Sequence, residues 1–237
     1  MSFKTFFSAV TLIAGLSVGA SASALTITSI DGEWQNVSAG VSGVGTDKIR
    51  WGKGWKGGGQ SGYDFNATTT ELNASDGEMF SLGSFDHRNL PVTGTFLKSV
   101  DLAVSFTIDG MTNAISSVFS FGHTETYNRK RGKCANGERN YSDRNANGCA
   151  DRVSATLNEA KTETFQIDGV TYILDVLGFH YAGELMTDFW TVEKEVNSAE
   201  LKSVISGSNA PLRACWQATR FRWTDCWGRR PCRLRSV

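Results

Sequence analysis

Apolar residues recur at every second position in one segment after another of this chain, and that period confines it to strands. The longest case covers residues 95–108, where Val100, Leu102, Val104 and Phe106 share one face with polar residues between them. Side chains alternate sides along a strand, so this pattern is what a sheet with one buried face requires. Residues 25–29, 32–37 and 48–51 repeat it in shorter form, as do 78–85 (Met79, Phe80, Leu82, Phe85) and 114–121 (Ile115, Val118, Phe119). Residues 164–167 and 170–174 flank Asp168-Gly169, which predicts a hairpin with a two-residue turn; residues 176–179 extend its second arm. Residues 188–196 predict another strand, and 198–205 a strand or a short helix. The chain has 25 Gly and 3 Pro, and long helical patterns are missing from it. Eight to ten strands without intervening helices predict an all-β fold, an antiparallel β-sandwich or jelly-roll-like single domain over residues 25–209.

Ahead of the first strand stand a basic start at Lys4, an apolar run over residues 6–18 and small residues ending at Ala24. These are the three parts of a secretory signal, with cleavage expected after Ala24. The run is shorter than the roughly 20 residues that span a bilayer, so no stable membrane span is expected in the chain. The expected location is exported: periplasm, outer surface or extracellular space. The net charge is zero over the whole chain, yet residues 25–209 carry a formal charge of −7, because residues 210–237 hold seven Arg and one acid. An acidic domain argues against nucleic acid as its partner, since phosphate binding needs a basic face.

An oxidising compartment predicts a disulfide between Cys134 and Cys149, which flank a polar segment rich in Asn and Gly. Inside that segment Asp143, Asn145 and Asn147, followed by Gly148, match the start of a calcium loop, with Asp151 at its ninth position. The bidentate Glu of such loops is missing, since position 12 is Ser154. No cofactor is therefore expected, with calcium the exception to test. Trp51, Trp55 and Tyr63 can stack on sugar rings if exposed; packing in the core is the alternative. Residues 52–62 hold six glycines and predict a surface loop. His87 beside Asp86 and Asn89 can act as a general base or metal ligand, but a turn before Pro91 accounts for the same residues. His123 and His180 read as ordinary strand-end residues. No nucleophile elbow, zinc-protease helix or phosphate loop occurs, and no enzyme is expected.

Several segments in order resemble the exported bacterial choice-of-anchor K family, which includes THxN-type PEP-CTERM and VPLPA-CTERM proteins. They are Gly32-Glu33-Trp34-Gln35-Asn36-Val37, Ile49-Arg50-Trp51-Gly52, Gln60-Ser61-Gly62-Tyr63-Asp64-Phe65, residues 82–91, Cys149-Ala150-Asp151-Arg152-Val153 and residues 172–179. The family's Thr-His-x-Asn stands here as Asp86-His87-Arg88-Asn89. The resemblance implies a β-sandwich in a Gram-negative envelope or biofilm and no catalytic activity. It also implies a sorting motif, an apolar helix and a basic cluster where residues 210–237 instead carry three Trp, three Cys and seven Arg. Shifted to the second base of GC-rich codons, residues 220–233 become an apolar small-residue run, and each Trp codon is forced to Gly. Residues 210–237 are thus expected to be a frameshifted sorting signal without fixed structure, which would meet the sorting machinery if the frame were restored. A genuine basic tail for anionic lipid or polysaccharide is the alternative. Three functions follow in order: a non-catalytic surface or matrix protein with an adhesive role, with envelope or matrix polysaccharide as its expected partner; a carbohydrate-binding module; and a secreted hydrolase on a sandwich scaffold.

Overall fold

Sixteen strands and two single-turn 3-10 helices are the regular elements of the computed structural model, which describes residues 24–38, 40–128, 132–156 and 164–207. In chain order the strands are β1 (Leu25–Gln35), β2 (Val41–Ser42), β3 (Lys48–Trp51), β4 (Lys53–Gly54), β5 (Ser61–Ala67), β6 (Leu72–Ala74), β7 (Met79–Asn89) and β8 (Val92–Thr93). They continue as β9 (Ser99–Ile108), β10 (Ile115–Thr124), β11 (Asp151–Thr156), β12 (Thr164–Ile167), β13 (Val170–Tyr181), β14 (Glu184–Met186), β15 (Asp188–Thr191) and β16 (Glu195–Gly207). The signal segment before Ala24 and the tail at 210–237 lie outside the described residues.

All pairings are antiparallel. One sheet has the order β15-β11-β10-β9-β1-β6 and the other β12-β13-β16-β7-β5-β3-β2, with β14 also on β13; β4 and β8 form a separate two-stranded ribbon. The sheets face each other as a β-sandwich, and aromatic rings meet between them. Trp34 of β1 lies 5.7 Å from Tyr63 of β5, Phe121 of β10 lies 5.6 Å from Phe85 of β7, and Phe189 of β15 lies 4.9 Å from Phe179 of β13. Each such ring, taken from water to full burial, contributes about 1.5–3 kcal/mol, so this row holds the layers together. The face expected on β9 is buried as expected: Val100, Leu102, Val104 and Phe106 all point inward.

Element boundaries differ from the expectation in instructive ways. The two segments at 25–29 and 32–37 form one strand, β1, with a register shift between Ile27 and Ser29 on its β9 side. The segment at 188–196 splits, because Val192 and Asn197 close a tight turn through two hydrogen bonds, Val192 N to Asn197 Oδ1 at 2.7 Å and Asn197 Nδ2 to Val192 O at 2.9 Å. Residues 198–205 are strand throughout, inside β16. The hairpin at Asp168-Gly169 forms, with both residues at positive φ (51° and 78°), as a two-residue primed turn demands. The glycine-rich stretch is partly regular: it contains β4, a 3-10 turn at Trp55–Gly57 and the start of β5.

Candidate functional site

At one end of the sandwich the inward positions change from apolar to polar. Alternation along β10 carries Ile115, Ser117, Phe119 and Phe121 inward and ends on His123. On β7 the same alternation would turn His87 outward, but the pairing with β16 skips one residue there: Gly83 lies opposite Leu201, and Ser81 opposite Lys202. This bulge at Leu82 lets Leu82, Phe85, His87 and Asn89 all face the interior. Register then completes the layer. Tyr63 lies opposite His87, His87 opposite Asn197, and Asp151 opposite Thr191.

These side chains form one network across the two sheets. The Tyr63 hydroxyl and His123 Nδ1 are 2.6 Å apart, and His123 Nε2 lies 3.3 Å from Glu125 Oε2. The Thr191 hydroxyl donates to the Asp151 carbonyl at 3.1 Å. Its proton is thereby used, so it accepts from His87 Nδ1 at 2.9 Å and from Asn89 Nδ2 at 3.3 Å. His87 therefore carries its proton on Nδ1, and its Nε2 is a bare lone pair. Asp151 Oδ1 accepts from the Thr126 N–H at 2.7 Å, while Oδ2 and His87 Nε2 are both buried with no partner. One ligand atom from each of His87, His123 and Asp151 lies within 4.8 Å of the others. The Trp51 ring stacks on His87 with centroids 5.8 Å apart and meets His123 edge-on at 5.0 Å.

Burial sets the protonation of this layer. It pushes His87 well down, helped by His123, and so keeps the imidazole neutral. It pushes Asp151 well up, with Glu125 and Glu193 adding to the effect, and Tyr63 well up as well. Glu193, held in the 192–194 turn and 1% exposed, is pushed up to about 7, mainly by burial and against the hydrogen bond from Asn128 Nδ2 at 2.9 Å. Asn128 also accepts from Cys149 N at 2.7 Å, which ties the disulfide loop to this layer.

The sequence candidates are distributed as follows. Cys134 and Cys149 are bonded. The calcium-loop residues are divided between surface and interior. Asp143 and Asn147 are exposed, and Asn147 donates to Glu195. Buried Asn145 Oδ1 accepts from Ala150 N at 2.9 Å and Asn136 Nδ2 at 3.1 Å, and Asp151 turns into the core. Hydrogen bonds within the loop thus occupy the oxygen that calcium would need. Trp51 and Tyr63 are fully buried, which removes them from sugar stacking and leaves the core-packing alternative; Trp55 is 58% exposed. Asp86, His87 and Asn89 belong to β7 and not to a turn. His87 and Asn89 converge on Thr191, while Asp86 faces the other side and accepts from Asn66 at 2.9 Å. Asp86 therefore stands outside the network. His180 is a half-exposed strand residue 3.9 Å from Glu200, as expected, but His123 is a central member of the cluster. Sequence reading missed His123, Glu125, Thr191 and Glu193; only His123 left a trace, as the last inward residue of an apolar alternation.

No protein-family model matches this chain, and no curated protein matches it either.

Proposed function

We propose that this chain is a non-catalytic, exported surface or matrix protein of the choice-of-anchor type, whose sandwich presents loops to envelope polysaccharide. The observation that carries this reading is where the reactive groups lie. His87, His123 and Asp151 face the interior beneath Trp51, with exposures of 0, 6 and 1%. Groups so enclosed hold strands in register; a polymeric substrate has no access to them.

Sugar binding is the second reading, and exposed aromatics favour it. Trp55, Tyr127 and Tyr141 are 58, 83 and 68% exposed. They sit on the segments that follow β3, follow β10 and precede β11, all leaving the sandwich at the polar end. Exposed Lys53, Lys56, Lys133 and Arg144 accompany them, which suits an acidic polysaccharide better than a neutral one. Affinity electrophoresis through gels containing acidic polysaccharide tests this. Wild-type protein should be retarded without shortening the polymer, and Trp55→Ala and Tyr127→Ala should each weaken retardation several-fold. Polymer cleavage would refute the non-catalytic reading, and unchanged mobility of wild type in every gel would refute the sugar reading.

A further inference from the structure

We propose that His87, His123 and Asp151 bind one divalent first-row transition-metal ion, zinc by donor type, which fastens the two sheets to each other. His87 belongs to β7 of one sheet, and His123 and Asp151 to β10 and β11 of the other. Two observations carry the assignment independently. The ligand atoms of all three residues already lie within 4.8 Å of one another. His87 Nε2 and Asp151 Oδ2 are buried acceptors without a donor, an arrangement that costs free energy unless a cation or a proton satisfies them. His123, whose Nδ1 meets the Tyr63 hydroxyl and whose Nε2 meets Glu125, gives up one of those contacts to reach the ion.

Two imidazoles and one carboxylate are borderline donors of the kind zinc takes, and calcium, which prefers six or more oxygens, does not. Tetrahedral zinc brings its ligands to about 3.3 Å from each other, so ligand atoms now as much as 4.8 Å apart must close in on binding. Outer hydrogen bonds already orient two of them. Thr191 accepts from His87 Nδ1, which leaves Nε2 for the ion, and the Thr126 N–H holds Asp151 Oδ1. A groove of about 310 Å³, lined by Thr124, Glu125, Tyr127, Lys133 and Cys134, adjoins the cluster through Glu125, which contacts His123. None of the three ligands lines it, so an ion would pass Glu125 to reach them.

The test uses the full chain with its disulfide formed, dialysed against chelator and then titrated with zinc chloride by calorimetry at pH 7.5. Expected is one ion per chain with a raised melting temperature. Asp151→Asn and His87→Gln should each weaken binding at least 100-fold, and His180→Ala, at a half-exposed position of β13 beside Glu200, should leave it unchanged. Cobalt chloride should give the visible bands of a four-coordinate site in wild type and not in Asp151→Asn; if His87→Gln fails to fold, this spectrum decides. No stoichiometric binding by wild type would overturn the proposal and leave a proton shared by Asp151 and His87. Binding lost in His180→Ala but kept in Asp151→Asn would overturn it too, by placing the ion on the surface.

Discussion

Glu193 shows how one side chain can set the pH response of the whole domain. Its carboxyl is pushed from 4.5 to about 7 because the turn that carries it is buried against Asn128 and Gly148. A raised carboxyl means that the folded state holds the proton more tightly than the unfolded one. Its contribution is full below 4.5 and is lost as the pH rises through about 7. His87 works the other way: burial pushes it down, so its contribution is lost as the pH falls below 6.5. Comparison with Glu193→Gln isolates the first effect, because Gln keeps an acceptor for Asn128 and has no charge. In chelator-treated protein the variant should match wild type near pH 4.5 and gain on the order of 2 kcal/mol by pH 8. That is roughly 5 °C in melting temperature. A gap that does not change with pH would show that Glu193 is ionised in the fold at no cost.

Among the elements, β7 matters most, because one bulge decides which face its last third presents. Without the extra residue at Leu82, the parity set by Leu82 would send His87 and Asn89 to solvent. Gly83 makes the bulge fit: a Cβ there would stand 2.4 Å from the Asn66 carbonyl oxygen and 2.9 Å from Ala67 Cα, both backbone atoms that cannot swing aside. Gly83→Ala should therefore cost about 1–3 kcal/mol in urea unfolding, whereas Gly110→Ala, where a Cβ meets nothing within 4 Å, should lose only the smaller cost of its positive φ of 81°. Equal losses would mean that the β5–β7 contact is looser than described. The same bulge explains what was legible in the sequence. The unbroken alternation of β9 predicted both its existence and its buried face. The hairpin at Asp168-Gly169 was equally plain, because turn chemistry is local. On β7 the alternation changes phase in mid-strand, so Asp86-His87-Arg88-Asn89 read as a turn. The cluster itself was illegible: it depends on registers between residues 24 to 104 positions apart, such as Tyr63 with His87 and His87 with Thr191. No local pattern encodes those.

At the scale of the molecule, the domain divides its labour along its length. The middle is an aromatic core, and one end is a buried polar layer that links the sheets. Loops carrying Trp55, Tyr127 and Tyr141 lie beyond it. The disulfide between Cys134 and Cys149 closes the largest of these loops and contributes about 3 kcal/mol by restricting the unfolded chain. Reduction should lower the melting temperature by several degrees, and an unchanged melt would mean that the loop's own hydrogen bonds, centred on Asn145, suffice. If the polar layer fastens the sheets and the loops bind polysaccharide, stability and binding are separable. The most direct measurement is the gel retardation of His87→Gln at a temperature where the variant is folded. The predicted result is a melting temperature several degrees below wild type with unchanged retardation. Retardation lost in the folded variant would contradict the account, because it would place His87 in contact with the polymer.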